Sequence, residues 1–451
     1  MQQQQTYNLT EGNVSKLILR FFFPIFFTNM LQQIYNVADT VIVGKGLGDN
    51  ALAAVGNMSS LTYFVIGFSN GLAGGFSIVF AQHYGANKYH DLRRSIASAI
   101  KLCLVITIVL TTGSIVALKP VLQLMQTSEL IIGDSLTYGY VIFGGLIVTI
   151  GYNLCGAILR SLGDSKTPFI AIVISTIINI VLNLIFIFVL NKGVFGVAIA
   201  TIIAQFISML VCLRKLKKID IIKLERRDFR RNLSMVLDLL KNGVPMALMN
   251  SITSIGIMVI QYFVNGLGVA FTSAYSVCGK YINLFIEPGC STGIAMSAFT
   301  SQNYGARKYK RIREGLHVSL IIVTIAYIVL GATMVLIPRT LAGFMLTGEK
   351  PISLVAEFMP ICGYTMIFIN FLFVYRSGCQ AMGHPFVPML SGVLEMVIRV
   401  LVIIFFVSKI GFVATAWSNT VAWLGALILN FVAFEVNLRK KIRATSSISS
   451  K

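Results

Sequence analysis

The stretch Gln82, His83, Tyr84, Gly85, Ala86, Asn87, Lys88, Tyr89 returns as Gln302, Asn303, Tyr304, Gly305, Ala306, Arg307, Lys308, Tyr309, 220 residues further along the chain. The same offset carries Gly163 to Gly383 and Pro168 to Pro388, and an offset of 221 carries Pro24 to Pro245. The chain is therefore built from two tandem copies of one unit, the internal repetition found in many transporters.

Outward from the motif, each copy is a series of long apolar runs. Of the 451 residues 56% are apolar and only 12% charged, against roughly a quarter charged in an average soluble protein. A water-soluble fold is excluded. A spanning helix needs about 20 mostly apolar residues, because unpaired backbone groups in hydrocarbon cost several kcal/mol each. Six runs qualify in the first copy, at 17–43, 52–81, 95–118, 134–158, 167–190 and 195–213, and six in the second, at 244–264, 272–301, 315–337, 353–375, 386–408 and 411–434. Six is even, so both copies enter the membrane from the same side. The expected fold is an all-α membrane protein of twelve transmembrane helices, in two homologous six-helix bundles related by a pseudo-twofold axis along the membrane normal. Residues 1–213 form the first lobe, 214–242 a basic cytoplasmic linker and 243–451 the second lobe. That linker is the longest hydrophilic segment, which leaves no room for a soluble catalytic or nucleotide-hydrolysing domain.

The formal net charge of +20, read without the hydropathy, would point to a nucleic-acid partner. Its placement argues otherwise. With the amino terminus inside, the cytoplasmic loops and ends collect most of the 37 Lys and Arg, the positive-inside pattern that puts both termini in the cytoplasm. The linker carries Arg214, Lys215, Lys217, Lys218, Arg226, Arg227, Arg230 and Arg231. A patch for anionic lipid or nucleic acid is the other reading of that cluster, but the other inside loops share the bias. The first apolar run is too long for the core of a signal peptide and stays in the membrane. The expected location is a bacterial-type inner (cell) membrane, with lipid and no nucleic acid as partner and the chain acting as a monomer.

Pro24, Pro245 and Pro288 are expected to break spans one, seven and eight, with Pro24 a hinge, since proline removes a backbone hydrogen bond. Gly67, Gly71, Gly74 and Gly75 thin one face of the second span for close packing. The seven cysteines lie in or at the ends of apolar runs and make no C-x-x-C pair, which reads as packing. His83, His90, His317 and His384 show no metal-ligand spacing, and no metal is expected beyond a sodium ion at Asp39. Gly44, Lys45, Gly46, Leu47 and Gly48 lack the full phosphate-loop pattern, so ATP is not expected as the energy source, and no cofactor is called for.

The duplicated Gln82–Lys88 and Gln302–Lys308 motifs, the twelve spans, and the run Leu159, Arg160, Ser161, Leu162, Gly163, Asp164, Ser165, Lys166, Thr167, Pro168 resemble the multidrug and toxic compound extrusion (MATE) family over essentially the whole chain. The resemblance implies a V-shaped pair of six-helix bundles that exports cationic or amphipathic organic molecules in exchange for entering protons or sodium ions.

An intramembrane carboxylate is costly unless paired, protonated or ion-bound, so each one is a functional candidate. Asp39 lies in the first span, fifteen residues beyond Pro24, with no cationic side chain among its neighbours on that helix. In a dry pocket such a group is driven to take up a proton or to hold a sodium ion among nearby oxygens. Tyr35 is one turn earlier, Asn179 and Asn183 are four apart on one face of the fifth span, and Thr201 lies in the sixth. Asn153 of the fourth span is a further candidate for this cluster. In the resembling family the first-lobe cation site uses an Asp in span one, a Tyr one turn earlier, an Asn and a carboxylate in span five, and a Thr in span six. Four of the five positions match. The departure is Asn183, where a carboxylate is often found, leaving the site one formal negative charge.

In the second half, Glu287 precedes Pro288 in the eighth span, and Glu395 and Arg399 are spaced to pair on one helix face. These three are the candidates for the substrate cavity, with a structural ion pair the alternative for Glu395 and Arg399 and a pairing with Lys280 the alternative for Glu287. The expected function is a secondary-active antiporter exporting organic cations or amphipathic drugs against protons or sodium. The rival is a flippase for lipid-linked oligosaccharides or cell-wall precursors, which needs a strongly basic cavity. A channel filter and an enzyme's nucleophile-base pair or clustered metal ligands are not seen in the sequence.

Overall fold

The computed structural model describes residues 7–449, and among them every regular element is helical. In chain order the helices are α1 (Val14–Leu47), α2 (Asp49–Gly85), α3 (Tyr89–Leu124), α4 (Glu129–Gly144), α5 (Leu146–Ser161), α6 (Lys166–Leu184), α7 (Gly193–Leu216), α8 (Leu233–Leu267), α9 (Val269–Phe285), α10 (Glu287–Gly305), α11 (Tyr309–Leu336), α12 (Pro338–Gly343), α13 (Glu349–Ala381), α14 (Phe386–Ile410) and α15 (Val413–Ser449). A π-helical turn, Ile185–Val189, continues α6. The chain ends at 1–6 and 450–451, which the sequence assigns to the cytoplasm, lie outside the described residues.

Each expected apolar run falls on helical structure. Among the described residues ten helical segments are long and apolar enough to cross a membrane, and eleven if α4 and α5, which meet at a 46° bend, count as one. The remaining run, 272–301, is two helices meeting at Ile286, with Pro288 in the first turn of α10. There the expected break occurs, because proline is tolerated at a helix start and not in its interior. Pro24 and Pro245 behave differently: α1 and α8 run on through them. Long spans absorb a proline when neighbouring groups re-satisfy the freed carbonyl.

Where the apolar residues point supports a lipid surround. Only 17% of the most apolar stretch of α3 is buried, and 22% of that of α11. Val105, Ile108, Val109 and Val116 of α3 are exposed, a pattern that water would penalise and hydrocarbon does not.

The chain divides into two compact units. The first is Phe27–Gly243 with Tyr7 and Asn8, and the second is Leu9–Phe26 with the residues from Val244 onward. Helix α1 therefore changes unit between Phe26 and Phe27, just past Pro24. In the first unit Met58, Leu118, Leu122, Ile142, Phe143 and Leu146 form a core among α2 to α5. In the second, Phe358, Met359, Cys362 and Met366 of α13 pack with Tyr275, Tyr281 and Trp423. A separate cluster there joins Ile18, Phe21, Phe22 and Ile25 of α1 to Ala295, Ala298 and Phe299 of α10.

The duplicated motif makes the same turn twice. Asn87 and Arg307 both take left-handed backbone, at φ 56° and 57°. Lys88 N–H reaches His83 O at 2.9 Å, as Lys308 N–H reaches Asn303 O at 2.8 Å. These are bonds that close the ends of α2 and α10. Gly163 and Gly383 likewise share φ 83° and 82°.

Gly163 is doubly constrained. A Cβ there would lie 2.2 Å from the Tyr7 carbonyl oxygen, and left-handed backbone costs a non-glycine residue about 1–2 kcal/mol. Gly163→Ala is expected to lower the unfolding temperature in detergent by clearly more than Gly12→Ala, since Gly12 has φ 86° but nothing within 4 Å of the added methyl.

Between α7 and α8 the basic segment is docked. Asp228 faces Arg93 at 3.7 Å, and Lys101 donates to the Phe229 carbonyl while its ammonium stands 5.6 Å from the Phe229 ring centre. Helix α8 begins at Leu233, within the stretch that the sequence assigns to linker. Of the glycines of α2, Gly75 sits against the backbone of Asn242 and Gly243, 2.4–2.6 Å from where its Cβ would be.

Candidate functional site

Asp39 lies in the last third of α1, half-buried. Asn183 Nδ2 donates to Asp39 Oδ1 at 2.6 Å and to Asn179 Oδ1 at 2.8 Å. Asn179 Nδ2 in turn points at Thr201 Oγ1, 3.4 Å away, and the Tyr35 side chain hydrogen-bonds with Thr201. Thus α1, α6 and α7 bring Asp39, Asn183, Asn179, Thr201 and Tyr35 into one chain of polar groups. The i, i+4 spacing of Asn179 and Asn183 lets both face it. Both asparagines are buried, at 1% and 0% exposure.

Electrostatics fixes the Asn183 amide. With Asp39 ionised, the amide nitrogen must face the carboxylate, because the opposite orientation would oppose two acceptors. That leaves Asn183 Oδ1 buried with no donor. Among the described residues no Lys or Arg forms an ion pair with Asp39. The site thus holds one negative charge, only neutral donors and an unused acceptor oxygen. A proton on Asp39, or a small hard cation among these oxygens, would complete it. Just past Asn183, α6 widens into the π-helical turn, and such turns recur at functional sites.

Asn153 stands apart: its Nδ2 is buried without a partner, and no hydrogen bond links it to this group. Tyr138 of α4 is an addition that the sequence did not single out. It lies near Asp39 and Tyr35. Its only sequence signal is a tyrosine within an apolar run, shared with several others.

In the second unit, Glu395 and Arg399 pair along α14, Oε2 to Nη2 at 3.4 Å. Glu395 Oε1 also accepts from Arg376 of α13, whose Nη2 reaches Ser391 Oγ at 3.2 Å as well. All three charged side chains are buried, at 2%, 5% and 6% exposure. The sequence analysis did not single out Arg376, because the apolar run 353–375 stops one residue before it. Helix α13 runs on to Ala381 and keeps Arg376 inside, while Lys280 is exposed. Glu287 begins α10 and is partly buried.

The MatE family model matches residues 24–185 and again 245–405, two stretches that begin at Pro24 and Pro245. The chain is 31% identical over 341 residues to the probable multidrug resistance protein YoeA of Bacillus subtilis (strain 168), covering 74% of this chain and 73% of that one. It is 23% identical over 448 residues to the multidrug export protein MepA of Staphylococcus saprophyticus, covering 96% and 97%. A crystal structure of a MATE in the bent conformation superposes with a TM-score of 0.91 at 22% identity, over 99% of this chain and 100% of that one. Two tandem matches covering most of the chain, on a fold of two helical units with apolar spans, make this multi-pass membrane protein a member of the MATE family of transporters.

Proposed function

We propose that the protein is a secondary-active antiporter that exports small organic cations or amphiphiles and is driven by protons or sodium ions entering at Asp39. One observation carries the reading: a carboxylate in an apolar helix that has a neutral amide, and no cation, as its hydrogen-bond partner. Such a group is stable in the membrane only when its charge is cancelled, so its occupancy by a small cation is a natural lever on conformation. The ion can drive export only by binding one conformation better than the other.

Pro24 supplies a place for α1 to flex, since it removes one interior hydrogen bond. Tyr35, Asn179, Asn183 and Thr201 would orient the ion, and Asn153 would assist if the helices shift. Glu287, Glu395 and Arg399 are the candidates for contact with the transported molecule. The lobe and linker limits 1–213, 214–242 and 243–451, a cytoplasmic position for both termini and a bacterial inner membrane belong to the same proposal. The relatives described above carry drug-resistance and export names, which favours small organic substrates over a lipid-linked precursor.

Reconstitution into liposomes with separately imposed pH and sodium gradients tests it, with a fluorescent cation such as ethidium inside. One of the two gradients is expected to accelerate ethidium movement against its own gradient. If neither does, while the protein is folded and inserted, the antiporter reading is overturned.

A further inference from the structure

The Glu395 cluster does not balance its own charge. Its hydrogen-bonded members are one carboxylate and two guanidiniums, so the trio carries a net positive charge at 2–6% exposure. Its donors are not used up either. Arg376 Nε, Arg399 Nε and Arg399 Nη1 are all buried with no acceptor. Ser391 accepts from Arg376 Nη2 and donates its hydroxyl to the Pro388 carbonyl at 2.8 Å, and it takes none of these three N–H groups. Glu287 is the next carboxylate, near enough to Cys290 to share that neighbourhood with Arg376. Among the described residues both arginines form their ion pairs with Glu395.

Desolvating a guanidinium without full pairing is unfavourable, and each buried donor left without an acceptor adds to that cost. Helix packing does not demand this arrangement. Subtracting the 220-residue offset takes Arg376, Glu395 and Arg399 to Gly156, Ser175 and Asn179. The first copy builds the same helices with uncharged residues at those places.

We propose that Arg376 and Arg399 bind one anionic group, either a free small anion or the acid group of an organic molecule. The planar guanidinium suits this role, since its fixed N–H fork matches a carboxylate and also accepts a halide. Glu395 then acts as a fixed counter-charge that positions both guanidiniums and leaves their remaining N–H groups for the ligand. The proposal stands apart from ion coupling at Asp39, because binding can be read without any gradient.

The test is equilibrium binding to the purified full-length protein in detergent, with radiolabelled chloride, acetate and benzoate as probes. The wild-type protein is expected to bind at least one of them saturably at one site per chain. Arg399→Gln and Arg376→Gln are each expected to weaken that binding by about tenfold or more, the worth of a lost charged hydrogen bond. Where a glutamine variant does not fold, Arg399→Lys keeps the charge but loses the fork, and weaker binding is again expected. Saturable chloride or acetate assigns the site to free anions. Benzoate binding that chloride cannot displace assigns it to the acid group of an organic ligand. Absence of saturable binding of all three probes, or binding unchanged in the arginine variants, overturns the proposal.

Discussion

In proteoliposomes, Asp39→Asn is expected to reduce ion-driven efflux to the passive level while the protein still folds and inserts. The substitution is nearly isosteric. An asparagine oxygen can still accept from Asn183 Nδ2, which donates to Asp39 at 2.6 Å in the wild-type protein, so little stability is lost. What disappears is the charge that a proton or sodium ion would cancel. A monovalent organic cation leaving for one entering proton or sodium ion moves no net charge, so the driving force is the ion's own gradient: a tenfold gradient, worth about 1.4 kcal/mol, supports roughly a tenfold concentration ratio of the exported molecule. Efflux against that ratio should stop, whereas exchange with no imposed gradient should persist. An unaltered response to the imposed gradient in this variant would remove Asp39 from the mechanism.

The largest stability effect is expected at Glu395. Glu395→Ala leaves two guanidiniums buried without a carboxylate, and breaking a buried pair in this one-sided way costs about 3–5 kcal/mol. Thermal unfolding in detergent would register this as a large drop or as failure to fold. Glu349→Ala is the control. Its partner Arg339 is 2.8 Å away, but the two side chains are 77% and 63% exposed, and such pairs contribute about 0–1 kcal/mol. Comparable losses in the two variants would mean that the second-unit cluster is wetter than its burial indicates.

The fold was legible because membrane chains obey a strict rule: the backbone must satisfy itself, so long apolar runs become helices. The repeated motif then gave the duplication, and it returns as two turns with matching left-handed Asn87 and Arg307. What the sequence could not resolve was continuity. Pro24, Pro245 and Pro288 look alike in the chain, yet only Pro288 stands at a helix start. The difference lies in what surrounds each proline. For the candidate site, helical spacing alone puts Asn179 and Asn183 on one face, and the cost of a buried carboxylate singles out Asp39. Tyr138 and Arg376 were missed for different reasons. Tyr138 comes near Asp39 only through the packing of α4 in the fold, which no local pattern encodes. Arg376 escapes notice because the apolar run ends at 375, at the first charge, whereas α13 continues with that charge paired to Glu395.

The π-helical turn at Ile185–Val189 sets a limit on using one half as a template for the other. Residues 405–409, its counterparts by numbering, belong to the uninterrupted helix α14. Beyond both segments Asn191 and Gly411 share a positive φ, at 48° and 62°. Between those landmarks, a wider turn rotates the side chains by roughly a quarter of a circle relative to an ordinary helix. That rotation seats Ile187 against Gly46, where a methyl on the glycine would come within 2.7 Å of it. A symmetrised protein, with the 405–409 sequence grafted in place of 185–189, would therefore keep its loop in register while aiming the wrong residue at Gly46.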